Sequence, residues 1–146
     1  MTVLRALGAF TAAVIASALC AGPAQAEALA QLDPVPVMAS ATCAGTVSAE
    51  AQVAPVAVDD HVENGVRVTI NYDAGVYDGS CALTVHATWT NLDTGGSGGR
   101  DIAAVSTIDG HYGFVGYADT TFETGRGTVV VTLSSHPGAE MRVNPL

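Results

Sequence analysis

Lysine does not occur in the 146 residues, and five arginines are the only permanent side-chain cations. So cation-poor a composition fits the codon bias of a GC-rich bacterial genome and by itself implies no mechanism. Aromatic residues are scarce at 5%, and charged residues of both signs reach only 13%. The fourteen acidic residues all follow residue 26, where they face four arginines, a formal balance of −10. That sign repels phosphate backbones and anionic headgroups, so neither nucleic acid nor an acidic membrane surface is an expected partner. With so few charges, solubility rests on aspartate, threonine and serine.

Other absences narrow the fold. No uninterrupted apolar stretch reaches the ~20 residues of a transmembrane helix, so no membrane span is expected. After residue 26 no segment of ten or more residues keeps apolar positions at i, i+3, i+4 and i+7 without strand-like alternation or turn residues. Helices should therefore be absent or short. A redox role would need a Cys-x-x-Cys pair or a single activated thiol, and neither is present.

The amino end carries an export signal. Arg5 precedes an apolar run from Ala6 to Leu19, and Ala24-Gln25-Ala26 has the small-x-small pattern of a cleavage site. Residues 1–26 are expected to be removed as a signal peptide, leaving Glu27 first. Cys20 follows Leu19 instead of the small residue that precedes a lipid-modified cysteine, and it leaves with the signal. The remaining 120 residues suffice for one domain with a modest core. They keep two cysteines, Cys43 and Cys81, which in an oxidising compartment are read as one disulfide. Closing that loop contributes about 4 kcal/mol by chain entropy. The expected location is extracellular or the cell envelope.

Strand periodicity dominates the rest. In Cys81–Thr90, Cys81, Leu83, Val85, Ala87 and Trp89 share one side, while Thr84, His86, Thr88 and Thr90 share the other. Val66, Val68, Ile70 and Tyr72 alternate with Arg67, Thr69, Asn71 and Asp73 in the same way. These two strands are expected to be antiparallel neighbours, and Trp89 to be a core residue. Residues 27–45, with Pro34 and Pro36, suit an extended leader or edge strand pinned by the disulfide. The sandwich proper is placed at 46–146. Within it Asn64-Gly65 signals a tight turn, and Asn91–Gly99 a flexible glycine-rich connection. Further strands are expected at 46–58, 100–108, 111–118, 128–134 and 140–143. About seven short strands with glycine-bearing turns predict an all-β, antiparallel, immunoglobulin-like β-sandwich. Cys81 and Trp89 on one strand lie ~26 Å apart at ~3.3 Å per residue. That departs from antibody domains, whose tryptophan packs on the bridge.

Candidate sites are few. His61, His86, His111 and His136 recur every 25 residues, but the segments between them share almost no further identity. No pair has H-x-x-x-H spacing, and an amino-terminal copper site would need histidine where Glu27 stands, so no metal is expected. Asp59, Asp60 and Glu63, with Asp73 and Asp78 from a nearby loop, offer oxygen ligands to calcium. They lack the D-x-D-x-D-G loop and read as a solvated turn. Ser97 matches G-x-S-x-G only because every neighbour is glycine, with no strand-to-helix elbow around it.

One stretch breaks the inside-outside rule. In His111–Ala118, Tyr112, Phe114 and Gly116 alternate with Gly113, Val115 and Tyr117, so neither face is polar. Either the chain's own leader or tail covers the outer side, the preferred reading, or an aromatic patch is exposed to a partner. Tyr112, Phe114, Val115 and Tyr117 are the candidate binding patch. With no paired acid and base and no cofactor motif, the expectation is a secreted, non-enzymatic binding module whose partner is a protein or an envelope component. The alternative is a carrier of a small apolar ligand in a cleft between sheets.

Overall fold

The computed structural model describes residues 28–75, 79–109, 112–114 and 116–146; the signal peptide expected at 1–26 lies outside them. Nine strands form among the described residues: β1 (Leu29–Ser40), β2 (Cys43–Val58), β3 (His61–Ala74), β4 (Gly79–Asn91), β5 (Ser97–Asp109), β6 (Tyr112–Phe114), β7 (Gly116–Phe122), β8 (Val129–Leu133) and β9 (Met141–Val143). They make two antiparallel sheets, ordered β1-β2-β3-β7 and β6-β5-β4-β8-β9. The sheets pack on one shared core, the β-sandwich expected from the alternation. The leader is part of it: β1 is an edge strand paired with β2, where the missing N–H groups of Pro34 and Pro36 are tolerated.

Val66, Val68, Ile70 and Tyr72 are fully buried, each contributing roughly 1.5–3 kcal/mol by burial. Val85 and Ala87 of β4, Ile102 and Ala104 of β5, Val131 of β8 and Met141 of β9 close the core from the other sheet. The Cys43–Cys81 disulfide ties β2 of one sheet to β4 of the other, with Cα atoms 5.7 Å apart. β3 and β4 are thus not neighbours, contrary to expectation. β3 pairs with β2 and β7, and β4 with β5 and β8. Each carries a complete apolar face, and opposite sheets let both faces close on one core.

Three local expectations are revised, each at a glycine. The hairpin turn between β2 and β3 is Asp59-Asp60, with Val58 opposite His61 and Asp59 at φ 49°, a conformation aspartate tolerates. Asn64 and Gly65 instead pair with Pro55 and Ala54 inside the hairpin. Gly65 is needed because a Cβ there would collide with the Phe122 carbonyl oxygen. The glycine-rich connection is shorter than expected, confined to residues 92–96: β5 begins at Ser97, with Gly98 opposite Trp89 and Gly99 opposite Thr88. A Cβ at Gly98 would sit 2.8 Å from Trp89 Nε1, so the bare backbone seats the indole. Trp89 faces inward and meets Phe122 at 6.4 Å between ring centroids, but it is half-buried instead of enclosed. Lastly, the aromatic stretch changes sheets. Phe114 in β6 pairs with Thr107 of β5, whereas Gly116 opens β7 opposite Tyr72 of β3. A Cβ at Gly116 would lie 2.7 Å from the Val105 carbonyl carbon. A chain that crosses between sheets has no constant outer side, which accounts for the missing polar face.

Candidate functional site

The alternation that buries Val68 and Ile70 turns Arg67, Thr69 and Asn71 to the outer face of the four-stranded sheet. The register then assembles three rows. Asn71 lies between Ser48 and Tyr117, Thr69 between Glu50 and Asp119, and Arg67 between Gln52 and Thr121. Gln31 of β1 extends the middle row and its Nε2 donates to Glu50 Oε2 at 3.4 Å. Arg67 Nε stands 3.6 Å from Asp119 Oδ2, an exposed pair that adds little to stability. Both glutamines of the described residues, Gln31 and Gln52, are on this face.

Two side chains here are out of the ordinary. Tyr117 is 62% exposed, a large ring laid open on the edge strand β7 beside Asn71 of β3. Thr69, at the centre, is only 1% exposed, and its hydroxyl has no hydrogen-bond partner among the described residues. A buried hydroxyl without a partner costs roughly 1–3 kcal/mol. The longer side chains of Glu50, Arg67, Asn71 and Asp119 surround it on all four sides of the grid and account for its burial. Beside the grid, the β1–β2 register slips between Leu32 and Val35. This bulge at Asp33-Pro34 opens a cleft of about 210 Å³ lined by Gln31, Asp33, Pro34, Ser48, Glu50 and Asn71, among others. Asn71 is shared, lining the cleft and pairing with Tyr117 across strands.

Of the four aromatic-patch residues, only Tyr117 belongs to this sheet; Tyr112 and Phe114 are in β6 of the other sheet, their side chains outside the description, as is Val115. The acidic group is also divided. Asp59 and Asp60 form the hairpin turn and Glu63 pairs with His61 at 2.8 Å, while Asp73 lies ten residues further along β3, ~33 Å at ~3.3 Å per residue. Asp78 and His111 are outside the described residues. Among the described residues no three metal-ligating side chains come together.

A histidine–carboxylate pair escaped sequence reading. His86 on the outer side of β4 is opposite Asp101 of β5, with Nδ1 2.6 Å from Asp101 Oδ1. A carboxylate on Nδ1 orients imidazole as in hydrolytic triads, but the nearby Ser134 Oγ accepts the backbone N–H of His86 at 2.9 Å instead of meeting the ring. His86 and His136 line one shallow cleft of about 410 Å³. Both ring nitrogens of buried His136 are engaged, by Ser135 Oγ at 2.9 Å and the Asp33 carbonyl at 3.0 Å. His136 is thus a structural tie between the tail and the β1 bulge. Of the ionisable groups, the buried Tyr72 phenol is displaced upward from its ordinary value, because burial disfavours the phenolate.

Comparison of the chain with protein-family models, curated proteins and solved structures gives no match.

Proposed function

We propose that the chain is a secreted bacterial, non-enzymatic binding module acting at the cell envelope or outside the cell, through the outer face of the β1-β2-β3-β7 sheet. The observation that carries it is Tyr117, exposed on edge strand β7 and paired across strands with Asn71, which lines a cleft shared with Gln31, Asp33, Ser48 and Glu50. The disulfide fits an oxidising compartment, and no helix among the described residues is long and apolar enough to cross a membrane. A carrier of apolar ligands has less support, since Tyr72, Ile70 and Met141 fill the space between the sheets. The His86–Asp101 pair does not present a nucleophile to its ring.

The test compares mature protein with Tyr117→Ala for thermal stability and for retention on material from the envelope and culture medium. Retention lost by Tyr117→Ala at unchanged melting temperature is the expected outcome. Equal retention by both proteins, or none by either, refutes the assignment of binding to this face.

A further inference from the structure

We infer that the ligand of this face is a neutral polysaccharide, an inference that rests on the binding role proposed above. Sugar rings have two chemistries at once. Their C–H faces stack on an aromatic ring, and their adjacent hydroxyls each donate and accept, which planar amide, carboxylate and guanidinium groups match in pairs. The sheet offers both on neighbouring strands. Tyr117 provides the ring; Asn71, Ser48, Glu50 and Gln31 provide mixed donors and acceptors around the adjoining cleft. From Tyr117 across β3 and β2 to the β1 bulge is ~14 Å at ~4.8 Å per strand, room for a short run of rings.

The buried Thr69 hydroxyl is a second, independent observation. It sits on the outer side at the centre of the grid with no hydrogen-bond partner among the described residues. A hydroxylated ligand that parts the side chains above it supplies the partner it lacks. Charge selects among saccharides. Asp33, Glu50 and Asp119 outnumber Arg67 on this face, so uronic acids and sulfated sugars are repelled while uncharged chains are not. A protein partner fits less well, because protein interfaces centre on a desolvated apolar cluster, whereas among the described residues this face sets Tyr117 among polar groups. The opposite outer face serves as an internal contrast. There Thr84, Thr88, Thr90, Ala103 and Val105 present short side chains, and the exposed ring among the described residues is the imidazole of His86, held by Asp101.

Native affinity electrophoresis tests the inference, with gels cast without additive or with laminarin, xylan, galactomannan or hydroxyethylcellulose. The mature protein should be retarded in at least one gel. Tyr117→Ala and Asn71→Ala should each weaken that retardation about tenfold, while Thr84→Ala on the opposite face leaves it unchanged. Melting temperatures of all three variants, measured in parallel, separate lost binding from lost folding. If no polysaccharide retards the protein, or Tyr117→Ala and Asn71→Ala migrate as wild type, the glycan assignment is wrong. In that event, capture of a polypeptide from envelope extract that depends on Tyr117 preserves the binding role alone. Failure of that capture as well removes both.

Discussion

Asn91 provides the sharpest test of how the loops at one end of the sandwich are held. It closes β4 with a fully buried side chain. Its Nδ2 donates to the carbonyls of Thr124 and Arg126, both at 2.9 Å. Its Oδ1 accepts the backbone N–H groups of Asp93 and Thr94 at 3.0 and 3.1 Å. Two loops distant in sequence are thus joined through one amide. Replacement by alanine removes four bonds of roughly 0.5–1.5 kcal/mol net each, and strands a buried carbonyl at Thr124 at about 1–3 kcal/mol. The amides of exposed Asp93 and Thr94 recover water, which places the total near 4 kcal/mol. For a domain of this size that lowers the melting temperature by roughly 10–20 °C. Asn91→Asp isolates the donors. It keeps the shape and the accepting oxygen, but turns a carboxylate oxygen toward two carbonyls and should be at least as damaging at neutral pH. Urea unfolding of wild type and both variants, followed by circular dichroism, measures the losses. A loss below about 1 kcal/mol in either variant would show that the amide is not the fastener described.

Three further outcomes are expected. Gly98→Ala forces the indole of Trp89 off its seat, because the new Cβ would lie 2.8 Å from Nε1; tryptophan emission should shift to the red and stability fall by about 1–3 kcal/mol, whereas an unchanged spectrum means that the indole does not lie on this glycine. Burial raises the Tyr72 phenol above its ordinary value. For an acid whose folded value exceeds the unfolded one, the stability is complete below about pH 10 and declines as pH rises beyond it. Tyr72→Phe should flatten that alkaline decline, and parallel declines in both proteins would contradict the assignment. His136→Ala removes the hydrogen bond to the Asp33 carbonyl, so hydrogen exchange should quicken in β1 while β3 and β4 stay protected; uniform acceleration would place His136 in the global core instead.

Where one face of a strand meets the core and the other meets water, the chain declares its structure openly. Val66 to Tyr72 and Cys81 to Trp89 are such cases, and apart from Thr69, buried on the outer face, their buried residues are those the alternation picks out. Glycines hide what happens around them, since they carry no side chain to mark a face. Gly65 accommodates a neighbouring carbonyl, Gly98 seats an indole and Gly116 marks the change of sheets, yet in sequence all three look like breaks. Strand partners were equally hidden. Two apolar faces satisfy burial side by side or across a core, and periodicity is the same in both arrangements.

The candidate face was less legible than the fold, and for a reason of geometry. Tyr117 was singled out by its unusual stretch, but its company was not. Ser48, Glu50, Asn71 and Asp119 come from three strands, and only the β2–β3 and β3–β7 registers make them adjacent. A shift of either register by one residue would replace this polar grid with the core face. The deep burial of Ile70 and Tyr72 therefore does more than stabilise the sandwich, because it also fixes which side chains meet on the outside.

The cleft depends on ties of another kind. β1 is a long edge strand interrupted by Pro34 and Pro36, and an edge so interrupted has fewer ladder bonds with which to resist fraying. Its carboxyl end is held by the disulfide at Cys43, the register partner of Ser40, and its middle by His136, whose bond lands on Asp33 within the bulge itself. The bulge thus keeps its shape through contacts made 103 residues later in the chain. A cleft fixed in this way costs less conformational entropy to occupy than one formed by a loose edge. The tail of the sandwich is therefore part of what prepares the face, although no residue of the tail stands on it.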